Sequence, residues 1–343
     1  MFSTPFVLSF SLFLSLSLLL LFAPRILPPK HVTISPTDEI EDLALFHQAT
    51  QTSTHNPSIV SHLATTKAKP KIAFLFLTNS DLTFSPLWEK FFNGHVQLFN
   101  IYIHLDPSVK ITPPGGVFEG RFIKARRTER GSPTLISATR RLLAHALIDD
   151  SRNMYFALLS QHCIPLHSFQ FMYNYLFSKT HNSALKSFIE ILSNEPTLPD
   201  RYVARGKHVM LPEVPYEQFR VGSQFFVLNR RHSLVVIKDR RLWRKFKLPC
   251  LNLYSCYPEE HYFPTLLDME DPNGCTHFTL TRVNWTGSTG GHPHTYGPGE
   301  VSAELVYKLR ESSSSYPFLF ARKFSADCLD PLLQISDSVL FRD

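Results

Sequence analysis

Four short apolar runs, separated by segments with helical patterns, constrain the fold of this chain more than any other feature of its sequence. They lie at residues 71–78, 100–106, 154–160 and 224–230, and the first reads KIAFLFLT. Each is shorter than a core helix and apolar through its centre, which is typical of strands covered on both faces in a parallel sheet. We therefore expect these runs to be strands of one buried sheet.

The segments between these runs carry the signals of helices. Residues 85–92 follow the first run and are expected to form a helix. Ser132 offers an N-cap hydroxyl and Pro133 suits a first helical turn, and apolar residues then recur at helical spacing as far as Leu147. This strand–helix–strand alternation predicts an α/β fold with a mostly parallel sheet flanked by helices.

Polar residues stand where three of the predicted strands end. Thr78 and Asn79 follow the first run, Asp106 ends the second, and Gln161 and His162 follow the third. In open α/β sheets, ligands bind just outside the carboxyl ends of the strands. The sequence therefore predicts a nucleotide site at this edge.

Composition and missing motifs exclude several classes of function. A hydrophobic content of 43% is ample for a packed core, and the net charge of +6 is not gathered into a basic run with interleaved aromatic residues. We expect no nucleic-acid partner. The chain has no G-x-G-x-x-G dinucleotide motif and no G-x-x-x-x-G-K-[ST] phosphate loop. It also has no Asp-x-Asp pair, which in many nucleotide-sugar enzymes binds the metal that bridges the diphosphate, so we expect no metal ion.

The N-terminus indicates entry into the secretory pathway. Residues 6–22 carry no charge and are long enough to span a bilayer as a helix, which predicts a transmembrane signal anchor at 1–24. A cleaved signal peptide is the alternative, although the first residues lack the usual lysine or arginine. Residues 25–70 are rich in Pro, Thr, Ser and His and are predicted to be a stem, with one short helix possible at 38–50. The lumenal domain is then 71–343.

The five cysteines are compatible with one or two disulfides and a remaining thiol in an oxidising compartment. They show no C-x-x-C spacing, so we expect no zinc site. Asn284-Trp285-Thr286 is a sequon that predicts N-glycosylation of Asn284.

Nine segments, in order along the chain from about Lys71 to Asp337, resemble one known family. They read FLFLT, SPLWEKFF, NIYIHLDPS, RGSPTLISATRRLLAHAL, LLSQHCIPL, FRVGSQFFVLNRRHS, YPEEHYFPTLL, VNWTG and LFARKF. The chain resembles the core-2/I-branching β-1,6-N-acetylglucosaminyltransferases (glycosyltransferase family 14), in their plant branch. The resemblance implies a GT-A-like, Rossmann-type fold and a single-pass type II protein of the Golgi membrane. It also implies inverting transfer from a UDP-sugar without a metal or other cofactor.

The resemblance assigns the general base to Glu260, in the segment YPEEHYF. An inverting transfer needs one carboxylate to take the proton of the acceptor hydroxyl as the oxygen attacks the anomeric carbon. A simpler interpretation is that Glu259 and Glu260 both complement a helix dipole, because they follow Pro258 at a predicted helix start. We expect Glu260 to be catalytic and Glu259 to be its structural neighbour.

The resemblance also implies donor-binding residues. Lys323 corresponds to a lysine that contacts the donor diphosphate, and Arg322 is a second candidate charge. Animal members use a further arginine in a segment that here reads GHPHTY, so we expect His292 or His294 to substitute for it.

Thr78, Asn79 and Asp106 correspond to the uridine site, although an aspartate before proline is also a common turn cap. Trp285 corresponds to a tryptophan that stacks on the acceptor, since sugar C–H faces pack on aromatic rings. The same tryptophan is equally compatible with a place in the core.

The predicted function is transfer of a sugar from a UDP-sugar to a glycan hydroxyl. Animal members suggest N-acetylglucosamine, whereas plant relatives and a related clan suggest glucuronic acid or xylose as alternatives. A protein that kept this fold but only binds glycans is the second hypothesis, because a fold does not guarantee an activity.

Overall fold

The computed structural model describes residues 13–17, 34–54, 68–178, 185–288 and 291–343. Within these residues seven strands are described: β1 (Lys71–Thr78), β2 (Phe99–Leu105), β3 (Asn153–Leu159), β4 (Ile164–Pro165), β5 (Val227–Asn229), β6 (Thr281–Val283) and β7 (Phe320–Arg322).

The described helices pack around these strands and include several of only one turn. In chain order they are α1 (Pro36–Thr54), α2 (Ser85–Phe92), α3 (Pro133–Asp149), α4 (Phe169–Phe177), α5 (Leu198–Tyr202), α6 (Arg230–Lys238), α7 (Trp243–Phe246), α8 (Leu253–Cys256), α9 (Tyr262–Glu270), α10 (Ala303–Arg310) and α11 (Leu329–Ile335). The architecture is mixed α/β, as expected.

The central sheet has the strand order β2-β1-β3-β5. β1 is parallel to both of its neighbours, with Phe74 opposite Ile101 on one side and Ala157 on the other. β5 is antiparallel to β3. The parallel, helix-flanked part of the sheet confirms the predicted class and is consistent with a GT-A-like fold.

β1 shows why its sequence is apolar throughout. Its even-numbered residues from Ile72 to Phe76 enter one core, and its odd-numbered residues from Ala73 to Leu77 enter the other. Helices α2, α4, α10 and α11 cover the first core, while α1, α3, α6 and α9 cover the second. A strand buried on both faces has no position at which a polar side chain would reach water.

The fourth predicted strand is shorter than expected. The apolar run at 224–230 contributes only Val227–Asn229 to the sheet. The strand stops there because Asn229 becomes the N-cap of α6, where its side chain accepts a hydrogen bond from the backbone N–H of His232. Ser132 caps α3 in the same way through the N–H of Thr134, as predicted.

A second, smaller sheet of order β4-β7-β6 packs against the first core. β6 and β7 are parallel, so their carboxyl ends lie side by side. The segments after these ends carry Trp285 and Lys323. Two of the candidate site residues are therefore positioned by this sheet and not by the central one.

α1 packs on the globular domain. Its Phe46 and Ala49 are buried in the second core. Its Asp42 is also buried, forms an ion pair with Arg141 of α3 at 2.5 Å and accepts a hydrogen bond from Ser137. The short helix expected at 38–50 is therefore present and longer, and it is part of the folded domain.

The predicted anchor at 1–24 lies, apart from residues 13–17, outside the described residues. Residues 13–17 are helical and exposed. None of the helices that the structure describes is both long and apolar enough to cross a bilayer.

Candidate active site

A cleft of about 860 Å³ opens beyond the carboxyl ends of β1 and β3. The chain leaves β1 toward β2 on one side, whereas β3 lies on the other side of β1. β1 and β3 therefore flank the point at which the strand order reverses. Open α/β sheets bind their ligands at such a point. Thr78 and Asn79 line the cleft from β1, and Gln161 and His162 line it from the end of β3.

The cleft residues at the ends of β1 and β3 include a buried hydroxyl group without a hydrogen-bond partner and two side-chain amides that are hydrogen-bonded to each other. Thr78 is buried, and its hydroxyl has no hydrogen-bond partner within the described residues. The side chain of Gln161 donates to the Asn79 carboxamide oxygen at 2.7 Å, which joins the ends of β3 and β1. A buried hydroxyl without a partner is costly, and a ligand at this position would satisfy it.

One wall of the cleft is formed by the turn that contains both glutamates. Residues Pro258–Glu260 form a single 3-10 turn before α9. The Glu260 carboxylate accepts a hydrogen bond from Arg201 Nη1 at 2.7 Å, and its side chain is 32% exposed. The Glu260 backbone carbonyl accepts from the N–H of Gly222. Its backbone is thus fixed while its carboxylate reaches the cleft.

Glu259 has a different environment from its neighbour. It is 3% exposed, and its Oε1 accepts a hydrogen bond from the backbone N–H of Gly131 at 2.9 Å. Burial raises the pKa of its carboxyl to about 7, with the adjacent Glu260 charge as a further cause. Glu259 therefore links this turn to the loop before α3, which fits the structural role expected for it.

A second wall of the cleft is cationic and follows β7. Lys323 lines the cleft, and burial together with the charges of Arg322 and Arg130 lowers the pKa of its ammonium group to about 8. Arg322 lies over the ring of Phe225 at 4.2 Å and is half-buried. The two adjacent cations predicted from the sequence both line the cleft.

His292 lines this wall and His294 does not. His292 Nδ1 lies 3.4 Å from Lys323 Nζ, and its Nε2 lies 2.5 Å from Arg130 Nη1. His294 is instead paired with Glu300 at 2.8 Å. Arg130 was not among the predicted site residues. In the sequence, Arg130 is recognisable only as a charged residue that directly precedes Gly-Ser-Pro, where α3 begins.

Asp106 lies outside the cleft lining, although it directly follows β2. Its two carboxylate oxygens accept hydrogen bonds from the backbone and hydroxyl groups of Ser108 and Thr128. Burial would raise the pKa of this carboxyl, but the four hydrogen bonds outweigh it and hold the pKa below its usual value. The turn-cap interpretation of Asp106 accounts for the contacts with Ser108, whereas those with Thr128 tie the end of β2 to the loop before α3.

Trp285 lines the cleft beyond β6 and is 56% exposed, so its ring is not packed in the hydrophobic core. Asn284 beside it is half-buried, and its side-chain oxygen accepts from the N–H of Thr286. Its glycosylation stays a prediction.

None of the five cysteines lines the cleft. Cys250 and Cys256 form a disulfide, which closes the loop just before the glutamate turn. The other three are buried thiols. Among the described residues, no group of three or more His, Cys, Asp or Glu side chains comes together in a way that could hold a metal ion.

A family model described as "Branch: Core-2/I-Branching enzyme" matches residues 72–310. The chain belongs to this family. Glycosyltransferase BC10 from Oryza sativa subsp. japonica is 29% identical over 317 residues, which cover 78% of this chain and 76% of that relative. The resemblance drawn from the nine segments is confirmed, and the chain is a member of a family of glycosyltransferases.

The family match covers only part of the cleft lining. Glu260, Trp285 and His292 fall within the matched residues, whereas Arg322 and Lys323 lie beyond residue 310. The role of the two C-terminal cations therefore rests on their position in the cleft.

Proposed function

We propose that this member of the Core-2/I-Branching enzyme family transfers a sugar from a UDP-sugar to a glycan hydroxyl, with inversion and without a metal ion. The observation that carries the proposal is the meeting of Glu260 and Lys323 in one cleft at the switch point of the sheet. N-acetylglucosamine is the donor sugar that the family suggests first.

The chemistry divides between the two walls. Glu260 accepts the proton of the acceptor hydroxyl while its oxygen attacks the anomeric carbon and forms the new glycosidic bond. The bond to the diphosphate breaks at the same time, and UDP leaves with its negative charge stabilised by Lys323 and neighbouring cations. Attack on the face opposite the leaving group inverts the anomeric configuration.

The floor and the rim supply the remaining contacts. Thr78 and Asn79 bind the uridine, where the unpaired Thr78 hydroxyl has room for a ligand partner. Trp285 stacks on the acceptor sugar, because an aromatic ring exposed inside a polar cleft is suited to the apolar face of a pyranose.

The test is a donor screen with the full-length chain purified in detergent. UDP-N-acetylglucosamine, UDP-glucuronic acid, UDP-xylose and UDP-glucose are each offered with a panel of glycans in EDTA, and products are detected by mass spectrometry. We expect one donor to give a product whose new linkage is of β configuration by NMR, and Glu260→Gln to give at least about 100-fold less of it. Glycan binding without transfer from any donor would instead identify a protein that kept the fold and only binds glycans.

We further propose that the chain resides in the Golgi as a single-pass type II membrane protein. The uncharged stretch at 6–22 and the family resemblance support this. A C-terminal tag should resist protease in sealed microsomes and become sensitive once detergent is added. Digestion of the tag before detergent would contradict a lumenal catalytic domain.

A further inference from the structure

The positive side chains that line the cleft are not equivalent. Arg201 is paired with the Glu260 carboxylate, and Arg322 and Arg282 lie over the rings of phenylalanines. None of Arg130, Arg282, Arg322 and Lys323 has an ion pair with a carboxylate within the part of the chain that the structure describes. Arg130 and Lys323 are distinguished by their position, because both approach the ring of His292 in the cleft lining. Two cations facing one space without a carboxylate indicate that the space receives an anion.

Arg130 is held in place by contacts from separate parts of the chain. Its guanidinium donates to the Gly291 carbonyl at 2.9 Å and approaches His292 Nε2 at 2.5 Å. It also lies over the Tyr257 ring at 5.5 Å. The next residue, Gly131, is fixed by its hydrogen bond to the buried Glu259. The arginine is thus positioned before any ligand arrives, and the cost of ordering it on binding is reduced.

Arg130 and Lys323 lie close to each other in the cleft lining, one on either side of His292. His292 lies between them, with one ring nitrogen near each cation. The electrostatic effect is mutual repulsion, since the Arg130 charge contributes to lowering the pKa values of both Lys323 and His292 after burial itself. A diphosphate in the cleft that contacts both cations would offset this repulsion.

We propose that Arg130 is the second cation of the donor site and binds the diphosphate of the UDP-sugar together with Lys323. This inference rests on the proposed function and identifies the residue that takes the place of the missing family arginine. The replacement comes from the loop before α3 and not from the 291–296 segment in which His292 and His294 stand. A guanidinium is suited to the role because its planar donors can bind two phosphate oxygens at once.

The test compares the affinities of UDP, UMP and uridine by calorimetry in EDTA, using the full-length chain in detergent. The variants are Arg130→Ala, Arg130→Lys, Lys323→Ala and Arg127→Ala. Arg127 is the matched control, because it is an exposed arginine of the same loop that does not line the cleft.

We expect Arg130→Ala to weaken UDP binding by about 10- to 100-fold, in the range of one charge-assisted contact, and to leave uridine binding unchanged. Arg130→Lys should recover part of the loss, and Arg127→Ala should behave like the parent chain. Recovery by lysine would identify a charge effect, which a misfolded loop does not show.

Two negative results are distinguishable. If the parent chain binds UDP no better than uridine, the diphosphate site and the proposed function fail together. If Lys323→Ala weakens UDP binding selectively and Arg130→Ala does not, the proposed function stands and the Arg130 assignment is overturned. Equal losses of UDP and uridine in Arg130→Ala would also overturn it, since they would indicate a role in folding of the loop.

Discussion

The two walls of the cleft contrast in how their charges are compensated. On the wall built by the second sheet and the loop before α3, Lys323 and Arg130 face the cleft without carboxylate partners in the described structure. On the wall built by the glutamate turn, Glu260 is paired with Arg201. The first arrangement suits an anionic ligand, and the second holds a carboxylate at the cleft through its contact with Arg201. The comparison therefore separates donor binding from acceptor activation.

The largest effect should come from the carboxylate wall. Glu260→Gln keeps the size of the side chain and removes the oxygen that accepts the acceptor proton, so turnover should fall by about 10²–10⁴. UDP affinity should be nearly unchanged, because the diphosphate contacts lie on the other wall. Turnover and UDP affinity of the purified variant give both numbers.

Stability is the control for that variant. The pair between Glu260 and Arg201 is partly exposed, and such pairs contribute about 0.2–1 kcal/mol. The melting temperature should thus shift by no more than a few degrees. Near-normal turnover in Glu260→Gln would remove it as the base.

Glu259 lies in the same turn as Glu260, but we expect it to affect the stability of the folded chain and not turnover. Its pKa is about 7 in the folded chain against 4.5 ordinarily. Because the folded state then holds the proton more tightly, the stability that Glu259 contributes is complete below pH 4.5 and is lost as the pH rises to 7. The change is about 1.4 kcal/mol per unit of pKa difference, with a ceiling of roughly 3 kcal/mol.

Glu259→Gln has no such proton, so its stability relative to the parent should rise between pH 4.5 and pH 7. Unfolding of parent and variant at a series of pH values measures this difference. The amide oxygen can still accept from Gly131, and turnover should change little. A constant stability difference across this pH range would mean that Glu259 is not a buried carboxyl.

Lys323→Ala tests the cationic wall. UDP affinity should fall by about 10- to 100-fold while uridine affinity is kept, because the lysine meets the diphosphate. The pKa of about 8 adds a pH signature: parent affinity for UDP should decline as the pH rises through 8, where the ammonium group loses its charge. The variant should lack that decline. Calorimetry at several pH values would contradict the assignment if both proteins showed the same profile.

The sequence predicts the strands better than the cleft. The run from Lys71 to Thr78 is a strand with the predicted bounds. Both of its faces are buried, and its sequence shows this as an unbroken apolar run at its centre. Glu260 and Lys323 are predicted from motifs that are short contiguous segments of the sequence, and both line the cleft. Such local signals need no knowledge of the tertiary fold.

The contacts of Arg130 and Asp106 required the three-dimensional structure. Arg130, in the loop before α3, contacts Gly291 and Tyr257. These segments lie far apart in the sequence, and no local pattern predicts contacts between them. Asp106 follows its strand as a ligand-binding residue would, yet Thr128 and Ser108 occupy its oxygens. Position at a strand end is thus insufficient to identify a binding residue.

The central claim is that the cations of the chain, and not a metal ion, hold the donor diphosphate. The most direct measurement is calorimetry of UDP binding to the full-length chain in excess EDTA, repeated after addition of Mn²⁺ or Mg²⁺. We predict the same affinity in all three conditions, with selective loss of UDP binding in Lys323→Ala. Binding that disappears in EDTA and returns with the metal would contradict the account.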